Sequence, residues 1–325
     1  MAQAASAAPP STPPASIRQL GPPARMPTKA TPLDTLPPIT GAAVVVSITM
    51  YPVDVVRALT MSQPGLGAGE ALSGFLKTHG VAGFVKQGLV AEVTRASFSR
   101  MIKFWLQPVA HNTFFGRPES KGNPITKGVS GALATIPEVI LISPLENFKL
   151  AEQLDKEKRF NGMTDVARHL MKTRGFFGGF YIGYFGMQIR QCMWTGTFFM
   201  SLDAVKSTVK GVGVSNPLLC DVMSGFCAGA LGVAANCWTD VVRSVIQKRA
   251  VAETFDASIK APSALNHINP MVFFGEAAKV ASEKGIGGLY AGVGPKMVHL
   301  GGGGALLAVL MPRFKGMWFK FRDLE

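Results

Sequence analysis

One short pattern occurs three times in the chain, each time directly after a long apolar run. The pattern consists of a first residue, usually proline, followed by an acid and then a base. The first copy is Pro52, Asp54 and Arg57, the second is Pro144, Glu146 and Lys149, and the third is Trp238, Asp240 and Arg243. The acids follow one another at intervals of about 90 to 95 residues, and a repeat of that length indicates equivalent structural units. The sequence therefore predicts one domain built from three copies of the same element.

Each copy places its pattern near the end of a helix long enough to cross a membrane. An acid and a base three residues apart share one face of a helix, and a proline kinks the helix beside them. A single copy would be no more than a common surface ion pair. Three copies in register instead predict a ring of ion pairs, because ionisable residues at membrane helix ends usually face the bundle interior.

The composition is that of a membrane protein that crosses the bilayer several times. Hydrophobic residues make up 47% of the chain and charged residues only 16%, and there are 36 glycines. The net charge of +13 is spread among apolar runs without a basic stripe, so an anionic small molecule or an anionic lipid is expected as partner and nucleic acid is not. The four cysteines lack metal-ligand spacing and are expected to be buried free thiols.

Residues 1–39 form a separate segment rich in Ala, Pro and Ser, with basic residues and no acid before Asp34. Such a composition cannot build a packed core and predicts a disordered arm. A transit peptide is the alternative, although the many prolines oppose an amphipathic helix.

The remaining chain is expected to hold three helix pairs, in repeats 40–118, 119–212 and 213–320. Each repeat has an odd spanning helix, a short surface helix, a glycine and aromatic link, and an even spanning helix. The six spans are expected near 41–61, 89–105, 125–153, 184–206, 217–248 and 293–311. The surface helices are expected at 70–78, 163–172 and 275–282. The predicted fold class is an all-α bundle of six transmembrane helices with threefold pseudosymmetry.

The even helices carry a basic or hydrogen-bonding residue at one matching height. Arg95, Arg190 and His299 each stand seven residues after a glycine, which is about two helical turns. We expect them to surround one central site, with Arg100 and Lys103 further along the first even helix on or near the same face. For Arg100 and Arg190 a purely structural role is the alternative.

The sequence gives no sign of covalent chemistry. It has no serine, histidine and aspartate arrangement, metal-ligand cluster or pair of catalytic carboxylates, and the glycines from Gly301 to Gly304 lack the lysine of a phosphate-binding loop. Those glycines are expected to allow close helix packing. The sequence therefore predicts a protein that is not an enzyme and needs neither metal nor cofactor.

The triple pattern, the surface helices and the links together resemble the mitochondrial carrier family, over about Gly41 to Met317. Within that family the likeness is to the 2-oxodicarboxylate carriers, with the citrate carriers next. It is carried by residues 99–105, 137–144, 189–191 and 295–301. The resemblance implies a multi-pass protein of the mitochondrial inner membrane that carries out antiport, with its surface helices and the ring of ion pairs on the matrix side. Cardiolipin is the lipid partner it implies.

The resemblance also implies roles for residues around the central site. Arg190 followed by Gln191 matches a pair that binds 2-oxoacids, where a guanidinium suits a carboxylate and an amide reaches a keto oxygen. Glu138 matches an acid of the citrate and 2-oxodicarboxylate carriers. It is a candidate proton or charge partner, or alternatively a buried acid neutralised by Arg190 or Lys103.

Four positions depart from the family pattern. His299 stands where the branch has an arginine, and Trp238 replaces the third proline. A second gate on the opposite side is expected from the pair Asp203 and Lys206. Pro108 and Pro312 take the other two acid positions, so that His111 and Lys315 are expected to lack those partners.

Two functions of different classes remain open from the sequence. The first is a solute exchanger that moves di- or tricarboxylates such as 2-oxoglutarate by alternating access. The second is a protein with the carrier fold that no longer transports and serves as a membrane subunit of a larger respiratory-type complex. The intact acid and base pattern favours the first, and the four departures favour the second.

Overall fold

The structure is a computed structural model that describes residues 31–62, 68–80, 89–154, 160, 162–255, 263–290 and 292–323. Regular structure in these ranges is helical, without strands. The helices are α1 (Leu36–Ser62), α2 (Ala68–His79), α3 (Leu89–Phe115), α4 (Pro124–Leu154), α5 (Met163–Phe180), α6 (Tyr184–Gly211), α7 (Pro217–Ala252), α8 (Pro270–Leu289) and α9 (Val293–Phe321). Short 3₁₀ turns cover Pro32–Thr35, Glu119–Lys121, Glu253–Phe255 and Ala264–His267.

The six long helices form a closed ring. Each packs against its two neighbours in the order α1, α3, α4, α6, α7 and α9, and α9 returns to α1. Within the described residues, α1, α4, α7 and α9 are long and apolar enough to cross a membrane by length and composition alone. The two others, α3 and α6, carry several of the charged and polar side chains that line the central pocket. The chain is thus an all-α membrane bundle made of three helix pairs, as predicted.

The shorter helices α2, α5 and α8 follow the odd helices α1, α4 and α7 and pack against them. Gly175 in α5 and Gly285 in α8 have φ values of 73° and 66° and turn the chain toward the even helices. Gly183 and Gly292 then cap α6 and α9 in the left-handed region, with φ values of 65° and 75°. Glycine suits all four positions because side chains rarely adopt this conformation. The corresponding link of the first repeat, residues 81–88, lies outside the described residues.

The predicted start of the first helix was wrong. Helix α1 begins at Leu36 rather than near Gly41. Pro37 and Pro38 fall in its first turn, where a backbone N–H group has no acceptor within the helix, so proline costs no hydrogen bond there. The turn Pro32–Thr35 before it is held by Trp105, whose Nε1 donates to the carbonyl oxygen of Pro32 at 2.8 Å. The predicted arm therefore does not extend to Pro38, and residues 1–30 lie outside the described part of the chain.

The predicted ends of the even helices were too early. Helices α3 and α9 continue through Pro108 and Pro312 to Phe115 and Phe321 instead of ending near Trp105 and Met311. Packed neighbours can satisfy the backbone groups that a proline frees, so prolines are tolerated inside membrane helices. Helix α6 also ends later, at Gly211.

The surface helices are longer than predicted. Helix α8 begins at Pro270 rather than Gly275, because the side chain of Asn269 caps it by accepting from the backbone nitrogen of Met271 at 2.9 Å. Helices α5 and α8 both continue past their turning glycines, to Phe180 and Leu289.

Glycines bring α7 and α9 close together. A Cβ atom on Gly304 would lie 2.5 Å from the carbonyl oxygen of Gly225, and one on Gly229 would lie 2.8 Å from that of Leu300. Small residues allow such close approach of membrane helices. This explains the glycines that begin at Gly301, which were expected to serve helix packing.

Candidate functional site

A pocket lies inside the ring, between the long helices. It is lined by charged, polar and apolar residues together. The lining comprises Ser47, Met50, Tyr51, Asp54, Arg95, Ala96, Ser99, Arg100, Lys103, Arg190, Gln191, Trp194, Asn236, Lys296, His299, Leu300, Gly303, Gly304 and Leu307.

The three residues at matching height make equivalent contacts around the ring. Arg95 of α3 binds Glu146 of α4, with 3.0 Å between nitrogen and carboxylate oxygen. Arg190 of α6 lies 3.6 Å from Asp240 of α7. His299 and Asp54 form the third contact, described below with the ring. Each even helix thus reaches the acid on the next odd helix.

His299 closes the ring between α9 and α1. Its Nε2 atom lies 3.6 Å from Oδ1 of Asp54, so the contact is an ion pair only when the imidazole is protonated. The histidine therefore occupies the third equivalent position, although it carries less permanent charge than the two arginines.

Arg243 connects two of the acids. It forms an ion pair with Glu146 of the neighbouring repeat and lies 3.6 Å from Asp240 on its own helix. Asp240 also receives Lys296 of α9 at 3.0 Å. The bases of three helices therefore converge on Asp240. Lys149 is exposed, and the side chain of Arg57 lies outside the described residues.

Glu138 is fully buried on α4 and is neutralised from α3. Lys103 lies 3.4 Å from its Oε1 atom, Ser99 donates a hydrogen bond to it, and Gln191 donates another at 2.6 Å. Of the two bases proposed for this acid, Lys103 makes the contact and Arg190 pairs with Asp240 instead. The amide nitrogen of Gln191, expected to reach a keto oxygen, is bound to Glu138 in this structure.

Arg100 crosses the pocket toward α1. Its guanidinium donates to the hydroxyl of Ser47 at 2.5 Å, and a Cβ atom on Gly303 would lie 3.7 Å from its Nη2 atom. The absence of a side chain at Gly303 therefore leaves room for the guanidinium.

An apolar layer covers the pocket on the side of the even helix C-termini. Phe104 of α3 packs edge-on against Phe198 of α6, with ring centroids 6.1 Å apart, and tilted against Phe199 at 5.2 Å. Leu307 and Met311 of α9 complete the buried cluster. The pocket thus lies between an ion-pair layer toward the C-terminal ends of the odd helices and an apolar layer toward the C-terminal ends of the even helices.

Asp203 and Lys206, the residues expected at a second gate, each take a partner from an adjacent helix. Asp203 binds Lys127 of α4, and Lys206 binds Asp221 of α7 at 2.5 Å. Both contacts tie α6 to its neighbours near the C-terminal end of α6.

Glu119 supplies an acid for this end from outside the helices. It stands in the turn Glu119–Lys121, near enough to Lys315, Lys127 and His111 for their charges to act on it. When the side-chain amide of Gln107 is oriented so that both its nitrogen and its oxygen have hydrogen-bond partners, the nitrogen donates to both carboxylate oxygens of Glu119 at 3.2 Å. Burial raises the pKa of Glu119, and the charge of Lys127 opposes that rise.

His111 and Lys315 find other neighbours in place of the acids that Pro108 and Pro312 replace. The charge of Glu119 acts on Lys315, and the buried ring of His111 lies 3.0 Å from the hydroxyl of Thr126 and 2.9 Å from the carbonyl oxygen of Arg117. Glu119 lies in a connecting turn, outside the helix positions of the pattern.

Trp238, which replaces the third proline, has a packing role. Its ring lies 6.0 Å from that of Phe273 and stacks at 6.4 Å with that of Phe274, both on α8. Phe185 of α6 contacts both phenylalanines, at 5.6 and 6.3 Å between centroids. The aromatic group fixes the third surface helix against α6 and α7.

Lys296, Asn236 and Trp194 are among the pocket residues that were not singled out from the sequence. Lys296 is 2% exposed and stands one turn before His299, so a second base in that apolar helix could have signalled it. Asn236 stands one turn before Asp240, and Trp194 one turn after Arg190. A polar residue in an apolar run is a weak signal, and a tryptophan there is most often core.

The charges around the pocket favour an anion. The network holds six basic side chains, namely Arg95, Arg100, Lys103, Arg190, Arg243 and Lys296. Its carboxylates are Asp54, Glu138, Glu146 and Asp240. With His299 neutral, these side chains leave an excess of positive charge. Among the described residues, no group of three or more His, Cys, Asp or Glu could hold a metal ion.

Comparison with known proteins agrees with this architecture. The family model described as mitochondrial carrier protein matches three consecutive stretches, residues 40–117, 120–212 and 214–321. Together these matches cover most of the chain, and each contains one copy of the acid and base pattern.

Individual relatives are similar at modest identity over most of their length. A probable mitochondrial 2-oxodicarboxylate carrier of Dictyostelium discoideum is 29% identical over 278 residues, which is 81% of this chain and 83% of the relative. The mitochondrial 2-oxodicarboxylate carrier 2 of Saccharomyces cerevisiae is 27% identical over 88% of this chain and 94% of its own. The mitochondrial citrate transporter D of Aspergillus niger is likewise 27% identical over 88% of this chain and 94% of its own length.

Proposed function

The chain belongs to the mitochondrial carrier family, and on that premise we propose that it exchanges di- or tricarboxylates, with 2-oxoglutarate as the leading candidate. Membership makes it a multi-pass transporter of the mitochondrial inner membrane rather than an enzyme. The three relatives described above are named for 2-oxodicarboxylates and citrate, which are small anions with at least two carboxylates.

One observation carries the proposal. Three bases at equal height, on α3, α6 and α9, each contact the acid of the next odd helix around a pocket with an excess of positive charge. Guanidinium groups bind carboxylates with two parallel hydrogen bonds, and Arg95 and Arg190 stand on two different helices of the ring. A dicarboxylate between them would engage both helices at once.

The same contacts offer a route to alternating access. Arg95 and Arg190 are held by Glu146 and Asp240, and a bound substrate carboxylate competes with these acids for the same guanidinium groups. Competition weakens the ties between neighbouring helices on the matrix side. Substrate can shift the equilibrium only as far as it binds one state better than another, and this competition provides such a difference.

The four departures from the family pattern do not require loss of transport. Two of the altered positions have local partners, because His299 contacts Asp54 and Trp238 packs against Phe273. Near the other two, Pro108 and Pro312, Glu119 supplies a negative charge within electrostatic range of Lys315. We therefore favour a working carrier over a structural subunit of a larger complex.

Anionic lipid is a further expected partner. The chain carries a net charge of +13, which favours contact with an anionic headgroup such as that of cardiolipin. Retention of cardiolipin over a zwitterionic lipid in native mass spectrometry would support this part of the proposal, and equal retention would contradict it.

A transport screen tests the proposed function. Purified protein is reconstituted into liposomes loaded with unlabelled solute, and uptake of labelled carboxylates, nucleotides, phosphate and amino acids is measured. We expect uptake of di- or tricarboxylates that depends on an internal counter-substrate. Exchange confined to nucleotides or amino acids, or no exchange at all, would contradict the proposal.

A further inference from the structure

Asn236 stands out among the pocket residues because its amide has no hydrogen-bond partner. The residue is only 1% exposed, and it lines the pocket. Neither Oδ1 nor Nδ2 makes a hydrogen bond within the described part of the chain. A buried amide offers one acceptor and two donors, and leaving them unsatisfied is unfavourable.

Comparison of the three repeats shows that packing does not require an amide side chain at this position of the odd helix. Asn236 stands four residues before Asp240, and the equivalent positions before Asp54 and Glu146 are Met50 and Ile142. Apolar side chains thus serve the fold in the first two repeats. The third repeat alone places a polar group there, where it faces the pocket.

The surroundings of Asn236 fit the recognition of an uncharged oxygen. It lies one helical turn, about 6 Å along the axis, from Asp240, where Arg190 and Lys296 converge. On the facing helix, Nε1 of Trp194 is also buried without a hydrogen-bond partner, and a Cβ atom on Gly232 would lie 3.0 Å from it. Gly232 is one turn before Asn236, so two unpaired donors occupy neighbouring turns beside the cationic part of the pocket.

We propose that Asn236 is a specificity residue, which hydrogen-bonds the oxygen on the carbon next to a carboxylate of the substrate, as in a 2-oxo or 2-hydroxy dicarboxylate. This inference rests on the proposed function and refines it. The carboxylate takes Arg190 and Lys296, and the adjacent oxygen accepts from Nδ2 of Asn236. Gln191 already uses one of its two amide N–H donors on Glu138, whereas both donors of Asn236 are unused.

Three acids that differ only at one carbon test the proposal: 2-oxoglutarate, 2-hydroxyglutarate and glutarate. Their exchange rates are compared in liposomes for the unmutated protein, Asn236→Ala and Asn236→Ser. We expect Asn236→Ala to lower the preference for the two oxygen-bearing acids over glutarate by about three- to tenfold, the effect of one lost hydrogen bond. Asn236→Ser keeps a donor and should retain part of the preference.

A matched control and a stability measurement separate recognition from folding. Ser224, on the same helix, is buried away from the pocket and donates to the carbonyl oxygen of Cys220 at 2.6 Å. Ser224→Ala should leave the preference unchanged. In the absence of substrate, the melting temperature of Asn236→Ala should be equal to or above that of the unmutated protein, because the change removes an unsatisfied buried group.

The outcomes are distinct. An unchanged preference in Asn236→Ala would overturn the inference, as would an equal loss for all three acids together with a lower melting temperature. If the unmutated protein exchanges none of the three acids but exchanges another class of solute, the proposed function fails and this inference with it.

Discussion

The Nε2 atom of His299 lies 3.6 Å from Oδ1 of Asp54, and this contact joins the last long helix of the bundle to the first. It completes a set in which Arg95 meets Glu146 and Arg190 meets Asp240 in the same way. The threefold repeat of the sequence thus appears as a threefold set of contacts between adjacent helices. Their position around the pocket places substrate binding and the ties between helices in one network.

Replacing Arg190 by lysine should weaken transport without unfolding the bundle. Lysine keeps the charge but loses the two-bond geometry, so we expect exchange of 2-oxoglutarate to fall by about ten- to a hundredfold. The melting temperature should change little, because Asp240 keeps Lys296 at 3.0 Å and Arg243 at 3.6 Å.

Arg168→Lys provides the matched control for that change. Arg168 pairs with Asp165 on the surface helix α5 and is 67% exposed, so this variant should exchange at the normal rate. Full exchange by Arg190→Lys would contradict a role in substrate binding. Loss of folded protein in Arg190→Lys would instead indicate a structural role.

Removing Lys103 should destabilise the protein strongly. Glu138 is fully buried, and without Lys103 its charge is left to the hydrogen bonds from Ser99 and Gln191. We expect Lys103→Met to lower the free energy of unfolding by about 3 to 5 kcal/mol, and the double variant with Glu138→Gln to recover most of it. Thermal or denaturant unfolding in detergent measures both.

An exposed ion pair gives the comparison for Lys103. Lys279 and Glu283 on α8 lie 3.9 Å apart with both side chains more than half exposed, so Lys279→Met should cost about 0 to 1 kcal/mol. Equal losses for the two lysine variants would show that burial does not set the strength of the Lys103 contact.

Adding a methyl group at Gly304 should force α7 and α9 apart. The new Cβ atom would lie 2.5 Å from the carbonyl oxygen of Gly225, so we expect a loss of about 1 to 3 kcal/mol. Gly294 lies on the same helix with nothing within 4 Å of an added Cβ atom. Gly294→Ala should therefore leave the unfolding temperature unchanged or raise it, and equal effects of the two changes would refute the close packing.

The stability contributed by Glu119 should fall as pH rises. Burial raises the pKa of Glu119 above its ordinary value of 4.5, so the native carboxyl binds a proton more strongly than the unfolded one. As pH rises from the pKa of the unfolded carboxyl to that of the native one, the free energy of unfolding therefore decreases. Glu119→Gln cannot titrate, so the melting temperature of the unmutated protein minus that of the variant should decrease from pH 4.5 upward. A difference that stays constant or increases would contradict this.

The threefold pattern was sufficient to predict the architecture. The spacing of the pattern follows from backbone geometry, and the long apolar runs follow from the burial of the helices. The height of Arg95, Arg190 and His299 followed from helical rise alone. Their partners did not, because the choice between Glu138 and Asp240 for Arg190 depends on which helix lies beside it and on side-chain direction.

Other features have no sequence pattern to reveal them. Glu119 lies in a connecting turn, so it reaches Lys315 only through the folded chain. Asn236 differs from an ordinary polar residue only because the fold leaves its amide unpaired. The helices that continue through Pro108 and Pro312 depend on neighbours that satisfy the freed backbone groups.

Counter-exchange of labelled 2-oxoglutarate tests the central claim most directly. The unmutated protein is placed in liposomes that contain either unlabelled 2-oxoglutarate or buffer alone, and the initial rate of uptake is measured in both. We predict rapid uptake into the loaded liposomes and little into the empty ones. Equal uptake into both would contradict exchange, and no uptake of 2-oxoglutarate or of any other di- or tricarboxylate into loaded liposomes would contradict the account of the pocket as a carboxylate site.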